Sequence, residues 1–156
     1  MNQDDPANLG YLFQRLMSVR RPLIVSALRP LGLGFPEFAC LRFLQERPGS
    51  TSADLARLSN VTAQAMHQVL QRLREAGLIA RPAAASSGRA LPVKLTHAGR
   101  QLLQRAQTEV QAADEKIWSR LSPSDRRELE RILETLVNSV LDDTAQPPAP
   151  YRPRSG

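Results

Sequence analysis

The sequence contains a single cysteine, Cys40, so neither an internal disulfide bond nor a cysteine-based metal cluster can form within the chain. His67 and His97 are its only histidines. The sequence also lacks an HExxH motif, a glycine-rich phosphate loop and a nucleophile elbow. It therefore predicts no metal and no cofactor, and it does not indicate an enzyme.

Aromatic residues are scarce, at 4% of the chain, so the core has to be built mainly from Leu, Ala, Val and Ile. That composition favours helices over a β-sandwich. No uninterrupted apolar stretch approaches the roughly 20 residues that a membrane span requires. The start of the chain, MNQDDPANLG, lacks the basic and apolar regions of a signal peptide. We therefore expect a cytoplasmic protein.

Acidic residues are outnumbered, with 15 Asp and Glu against 21 Lys and Arg, which gives a formal charge of +6. A basic balance of this size favours a polyanionic partner, with nucleic acid ahead of a membrane. Lys94 and Lys116 are the only lysines. Arginine binds phosphates and guanine edges better than lysine does, although an arginine-favouring codon bias explains the choice equally well.

Helical spacing of apolar residues begins at Leu9 and continues to Leu31, with Pro22 predicted to kink or split this first helix. Phe35-Pro36 is predicted to open a second, central helix. Two short helices follow, the first capped by Thr51 or Ser52 and the second by Thr62. The second of these is predicted to bury an apolar face at i, i+3, i+4 and i+7 spacing, formed by Met66, Val69, Leu70 and Leu73.

After Gly77 the period changes from 3.6 to 2, which predicts a β-hairpin with strands at 78–81 and 91–95. Thr96 is predicted to cap a long amphipathic helix, and Ser122-Pro123 to open another. The order from residue 52 to residue 96 is thus helix, tight turn, helix and β-hairpin.

Three features resemble the MarR family of transcriptional regulators. Residues 73–81 resemble the segment in which the recognition helix of that family ends and the wing begins. Arg89 resembles the family's wing arginine, and residues 95–99 resemble its Leu-Thr-x-x-Gly start of the next helix. The resemblance covers residues 9–141. It implies a mainly α fold, a winged helix-turn-helix with a two-stranded β-hairpin wing, whose N- and C-terminal helices form a dimerisation region.

The resulting division of the chain assigns residues 35–96 to the winged helix-turn-helix. Residues 9–34 and 97–141 are predicted to be dimerisation helices, because their long apolar stripes exceed what one small domain can cover. Residues 1–8 are predicted to be a flexible N-terminus, and the Pro-rich residues 142–156 a disordered tail.

The second short helix is predicted to bind the major groove, because Gln pairs with adenine edges and Arg or His reaches guanine or phosphate. By itself, an exposed Gln-rich face is more typical of an ordinary soluble helix than of a DNA contact, and only its place in a helix-turn-helix favours the DNA-binding interpretation. The predicted contacts of this helix are Thr62, Gln64, His67, Gln68, Gln71 and Arg72.

The resemblance implies that Arg89 enters the minor groove. Many members place an acidic residue two positions earlier, where this chain has Ser87, so the wing is expected to be looser or to use Ser87 on phosphate. Arg81 and Lys94 are candidates for backbone contacts, and for Lys94 an ordinary solvated cation is an equal alternative.

In the MarR family, small phenolic, anionic or amphipathic ligands bind beside the dimer helices and weaken DNA binding. The resemblance thus implies a pocket lined by Tyr11, Arg15, Arg20 and Arg42, with ordinary ion pairs as the alternative for each. Some relatives sense peroxide with one cysteine, but Cys40 lies in the apolar second helix and is predicted to be a buried, inert core residue.

Together these features predict a homodimeric repressor that binds double-stranded DNA at a pseudo-palindromic operator, with a possible small-molecule effector and no membrane partner. Two other classes stay open at this point. One is an architectural protein with little sequence preference, and the other is a winged-helix module that binds proteins.

Overall fold

The computed structural model describes residues 6–80 and 91–145. Within these ranges the chain is mostly helical with one two-stranded antiparallel sheet, so the predicted fold class is confirmed. The described residues divide after Ile117 into two compact units. The elements are α1 (Pro6–Leu28), a 3-10 turn (Arg29–Leu31), α2 (Phe35–Glu46), α3 (Ser52–Leu58), α4 (Ala63–Glu75), β1 (Ile79–Ala80), β2 (Lys94–Leu95), α5 (His97–Trp118) and α6 (Pro123–Ala145).

Helix α1 runs without interruption through Pro22, so the expected split does not occur. Proline removes one backbone donor, and Pro22 faces solvent, where water can satisfy the carbonyl group left without a partner. The helix begins at Pro6, three residues before the predicted start at Leu9.

Helix α2 is the central element of the first unit. Its buried side chains are Phe38, Cys40, Leu41 and Leu44. They join one core with apolar side chains from α1, α3, α4, α5 and the two strands. Pro36 lies in the first turn of α2, as expected for a residue whose missing N–H would have no helical partner there.

Cys40 is fully buried, and burial raises the pKa of its thiol to about 12, with a smaller contribution from the negative charge of Glu37. Because the thiolate is the reactive form, we expect no labelling of the native protein by a thiol reagent at pH 8. One thiol per chain should react after unfolding in guanidinium chloride. Rapid labelling of the native protein would contradict this assignment.

The two strands pair through Ile79 with Leu95 and Ala80 with Lys94. Thr96 follows directly: its hydroxyl donates to the Gly77 carbonyl at 2.7 Å and accepts the Gly99 N–H at 3.0 Å. The side chain of Thr96 therefore caps α5 and also ties it to the end of the turn after α4.

Gly99 packs directly against the chain entering β1. A Cβ at this position would lie 3.0 Å from the carbonyl carbon of Leu78 and closer still to its oxygen. Only glycine allows this approach. The Leu-Thr-x-x-Gly pattern thus has a physical basis, because its Thr caps the helix and its Gly lets that helix contact the backbone of Leu78, just before β1.

Helix α6 makes up most of the described part of the second unit, which comprises residues 118–145. Ser122 accepts the Asp125 N–H at 3.1 Å and donates to its carboxylate at 2.6 Å, which caps the helix start. The helix extends to Ala145 and so includes the first four residues of the predicted tail, whereas residues 146–156 lie outside the described ranges. Its exposed apolar stripe comprises Ile132, Leu133, Leu136, Val137 and Val140.

Among residues 6–80 and 91–145, no single helix has both the length and the apolar character needed to cross a membrane. Asn8–Leu31 and Phe35–Glu46, bent by 85°, pass that test of length and composition only as a pair.

Candidate DNA-binding surface

Helix α3 begins with a reciprocal cap. Thr51 accepts the Asp54 N–H at 3.2 Å, and Asp54 accepts the Thr51 N–H at 2.8 Å. The bond from the Thr51 backbone N–H, together with one that the Thr51 hydroxyl donates to the same carboxylate at 2.8 Å, holds the pKa of Asp54 below its usual value. Arg57, one turn later, bonds the same carboxylate. The start of the helix-turn-helix is therefore fixed by local bonds that the sequence encodes.

The turn between α3 and α4 is tight. Asn60 adopts the left-handed conformation with φ of 51°, which Asn tolerates better than most residues. The Val61 N–H donates back to the Ala56 carbonyl at 3.1 Å. Thr62 then accepts the Ala65 N–H at 3.1 Å and caps α4, as predicted. These bonds set the direction in which α4 leaves the turn.

Helix α4 separates an apolar face from a polar one. Its inward residues are at most 5% exposed, and they are Met66, Val69, Leu70 and Leu73. The polar residues predicted to contact DNA from the helix are all exposed, and they are Gln64, His67, Gln68, Gln71 and Arg72. The predicted orientation of the helix is thus what the structure shows.

Two of these polar side chains already have partners. The Gln71 amide donates to Glu75 at 3.0 Å, one turn along the same helix. The Nε of Arg72 donates to Oε1 of Glu37, in the first turn of α2, at 2.6 Å. No such bond within the described ranges engages the side chains of Gln64, His67 or Gln68, so their polar groups are available to a ligand.

The wing is described only at its base. Arg81, Ser87 and Arg89 fall within residues 81–90, which lie outside the described ranges. Lys94, opposite Ala80 in the sheet, is exposed. The Val93 N–H donates to the Ser50 carbonyl at 3.0 Å, so the returning chain is attached to the turn before α3.

A cavity of about 270 Å³ lies between α1 and α2. It contains two of the four residues predicted for a ligand pocket, Arg20 and Arg42. The other two, Tyr11 and Arg15, do not line it; they form an exposed cation–π pair nearer the start of α1. The remaining lining residues are Ile24, Phe35, Phe38, Ala39, Phe43 and Glu46.

The cavity arginines are held by carboxylates that sequence reasoning did not identify. Arg20 makes two 2.8 Å bonds to Asp114 of α5, and Arg42 makes one 2.8 Å bond to Glu46. A sequence signal for the apolar wall was present, since three of the four phenylalanines of the chain line the cavity. Asp114 is 94 residues from Arg20, and no local pattern relates the two.

No group of three or more His, Cys, Asp or Glu residues in the described part of the chain is arranged to hold a metal ion.

The sequence model of the MarR family matches residues 31–90. The HTH-type transcriptional repressor Rv2887 of Mycobacterium tuberculosis is 52% identical over 136 residues, which make up 87% of this chain and 98% of that protein.

Two crystal structures of that Mycobacterium tuberculosis protein resemble the present fold. The complex with salicylic acid has a TM-score of 0.73 at 51% identity and covers 87% of this chain and 99% of the other. The complex with DNA has a TM-score of 0.72 at 46% identity and covers 85% of this chain and 98% of the other.

Proposed function

Since this chain belongs to the MarR family, we propose that it is a transcriptional repressor that binds a pseudo-palindromic DNA operator as a homodimer and is released by a small aromatic anion. The observation that carries the proposal is the exposed polar face of α4 on a capped helix-turn-helix. We propose action in the cytoplasm and no catalytic role. The related repressor Rv2887, solved with DNA and with salicylic acid, supports both halves of the proposal.

Helix α4 is the proposed recognition helix. Gln64, His67 and Gln68 lie in its first two turns, the part of a recognition helix that contacts base edges. A glutamine amide can pair with N6 and N7 of adenine, and histidine can bond guanine or phosphate. The amide groups at the capped start of α4 favour a nearby phosphate.

The wing is proposed to add contacts beside the major groove. Arg89 is proposed to enter the minor groove, and Ser87 and Arg81 to bond phosphates. Lys94 is exposed at the base of the wing. Its positive charge is proposed to add a contact with the DNA backbone. These contacts position the protein, whereas α4 selects the sequence.

Dimerisation is proposed to use α1 and α6. Large apolar side chains of α1 are more than half exposed in the single chain, among them Leu9, Phe13 and Val19. The apolar stripe on α6 is exposed too, its side chains by 36% to 60%. Two recognition helices of a two-fold dimer would then read half-sites about 10 bp apart.

The cavity between α1 and α2 is proposed to hold the effector. Its aromatic wall suits a ring, and Arg20 and Arg42 suit a carboxylate. The volume lies just below the range of about 300–1,000 Å³ that is common for drug-sized ligands, which favours a single-ring acid. The ligand carboxylate would replace Glu46 on Arg42, because Arg42 has one bond to its partner and Arg20 has two.

The proposal is tested by selecting bound DNA from a randomised duplex pool. We expect enrichment of a near-palindrome with two half-sites on successive turns of the double helix. Recovery of unenriched sequences would contradict a sequence-specific repressor.

Gln68→Ala should relax base preference at one symmetric pair of operator positions. The expected loss is about 1–3 kcal/mol of discrimination at each position, because a bidentate amide contact is removed. Anisotropy titrations against single-base operator variants measure this loss. Gln111→Ala, at an exposed glutamine of α5, is the matched control and should leave base preference unchanged. An unaltered profile for Gln68→Ala would remove Gln68 from the reading surface.

A further inference from the structure

The ion pair between Arg72 and Glu37 joins the recognition helix to a helix that lines the cavity. The Arg72 Nε and Glu37 Oε1 are 2.6 Å apart, although the residues are 35 positions apart in the chain. The Glu37 side chain is only 13% exposed, whereas that of Arg72 is 55% exposed. No other side-chain hydrogen bond or ion pair connects α2 with α4 within residues 6–80.

Glu37 does not itself line the cavity, but two of its neighbours in α2 do. Phe35 and Phe38, in the same turn of α2, both line the cavity. The Glu37 carboxylate folds back over Gly34, where a Cβ would collide with its second oxygen. On the outer side, the guanidinium of Arg21 lies 5.1 Å from the centre of the Phe35 ring. The turn that carries the carboxylate therefore also supplies part of the cavity wall.

On α4, the partner of Glu37 is Arg72. It lies one turn after Gln68, on the exposed face of the helix. The other anchors of α4 are the four buried apolar side chains, whose contacts are non-directional. A charge-assisted hydrogen bond is directional, so this pair adds one specific polar contact between α2 and α4 to the apolar packing.

We propose that Glu37 is a positioning residue for the recognition helix and that the Glu37–Arg72 pair transmits occupancy of the cavity to the DNA-binding face. An aromatic acid between Phe35 and Phe38 shifts the first turn of α2, Glu37 moves with it, and Arg72 turns α4 away from its DNA-bound orientation. The inference rests on the proposed function, because it requires both operator binding and release by a ligand.

The quantity that tests this link is the coupling factor, defined as the operator Kd with saturating salicylate divided by the Kd without it. Coupling factors of about 5–150 are common. Glu37→Gln keeps the size and an acceptor oxygen but removes the charge, and Arg72→Gln removes the other partner. We expect each to lower the coupling factor by about 2- to 30-fold, the range found for residues along coupling networks.

The double variant Glu37→Gln/Arg72→Gln should have the same coupling factor as either single variant, because both changes break one link. Glu75→Gln is the matched control: it removes the same charge from the recognition helix, and its partner Gln71 lies on that helix too. It should alter operator affinity at most and retain the wild-type coupling factor. Thermal melts with and without salicylate establish that each variant folds and binds the probe.

The outcomes separate this inference from the function it depends on. If the wild type responds to salicylate and Glu37→Gln responds equally, the link is wrong and the proposed function stands. A purely structural pair gives that result, since it changes DNA affinity without changing the coupling factor. A wild-type coupling factor near one contradicts release by an aromatic acid, and the link fails with it.

Discussion

Replacing Leu136 of α6 with glutamate is expected to convert the dimer to monomers and to weaken operator binding by about 100-fold or more. Leu136 is 54% exposed in the single chain and lies in the middle of the apolar stripe of α6. In a dimer this stripe is proposed to be covered by the second copy, where a buried carboxylate without a partner is strongly unfavourable. Each monomer then binds a single half-site. The operator affinity that a dimer gains by linking two half-site contacts is therefore lost.

The control for Leu136→Glu is Asn138→Glu. Residue 138 lies on the opposite side of α6 from the stripe, so the same charge enters a solvent-facing position. Light scattering after size-exclusion chromatography measures the mass of each variant, and anisotropy measures operator affinity. A dimer with wild-type affinity in Leu136→Glu would show that α6 does not form the interface.

Gly99→Ala is expected to destabilise the protein by about 1–3 kcal/mol or more, the usual result of forcing atoms into a filled site. Helix propensity alone predicts that the substitution stabilises the protein, because Ala is favoured over Gly inside a helix by about 1 kcal/mol. The steric effect dominates here, because the neighbour of the new Cβ is the backbone carbonyl of Leu78. To relieve this clash, α5 has to move away from the backbone of Leu78. That movement disturbs the base of the wing.

Gly10→Ala in α1 provides the matched control, since a Cβ there meets no atom within 4 Å. It should stabilise the protein by up to about 1 kcal/mol. Urea denaturation at one fixed protein concentration compares the free energies of unfolding. Equal stability of Gly99→Ala and the wild type would mean that α5 is not in close contact with the backbone of Leu78.

Local chemistry explains why much of this fold was predictable from sequence. Thr51, Thr62 and Thr96 each cap a helix by bonding a backbone N–H three residues later, so each bond is encoded within one turn. The apolar face of α4 was predictable for a related reason, because its spacing alone defines one side of a helix. Once the apolar face of α4 is assigned to the core, the opposite face, which carries the candidate DNA-binding residues, has to be exposed.

The remaining features depend on residues far apart in the chain. The bonds of Arg20 to Asp114 and of Arg72 to Glu37 arise only when the helices pack, and they identify charged partners that no periodicity indicates. Pro22 differs for another reason: its effect depends on whether the neighbouring carbonyl reaches water, which is a property of the folded molecule. The candidate pocket was accordingly predicted only in part.

Comparing the affinities for operator and scrambled DNA shows whether the protein reads a DNA sequence. Anisotropy titrations use the enriched palindrome and a scrambled duplex of equal length at several salt concentrations. We expect the palindrome to be bound on the order of a thousandfold more tightly than the scrambled duplex. Equal affinity for both duplexes with a steep salt dependence would contradict it and indicate an architectural protein that binds phosphates. Absence of binding at low salt would contradict it as well and would indicate a module that binds another protein.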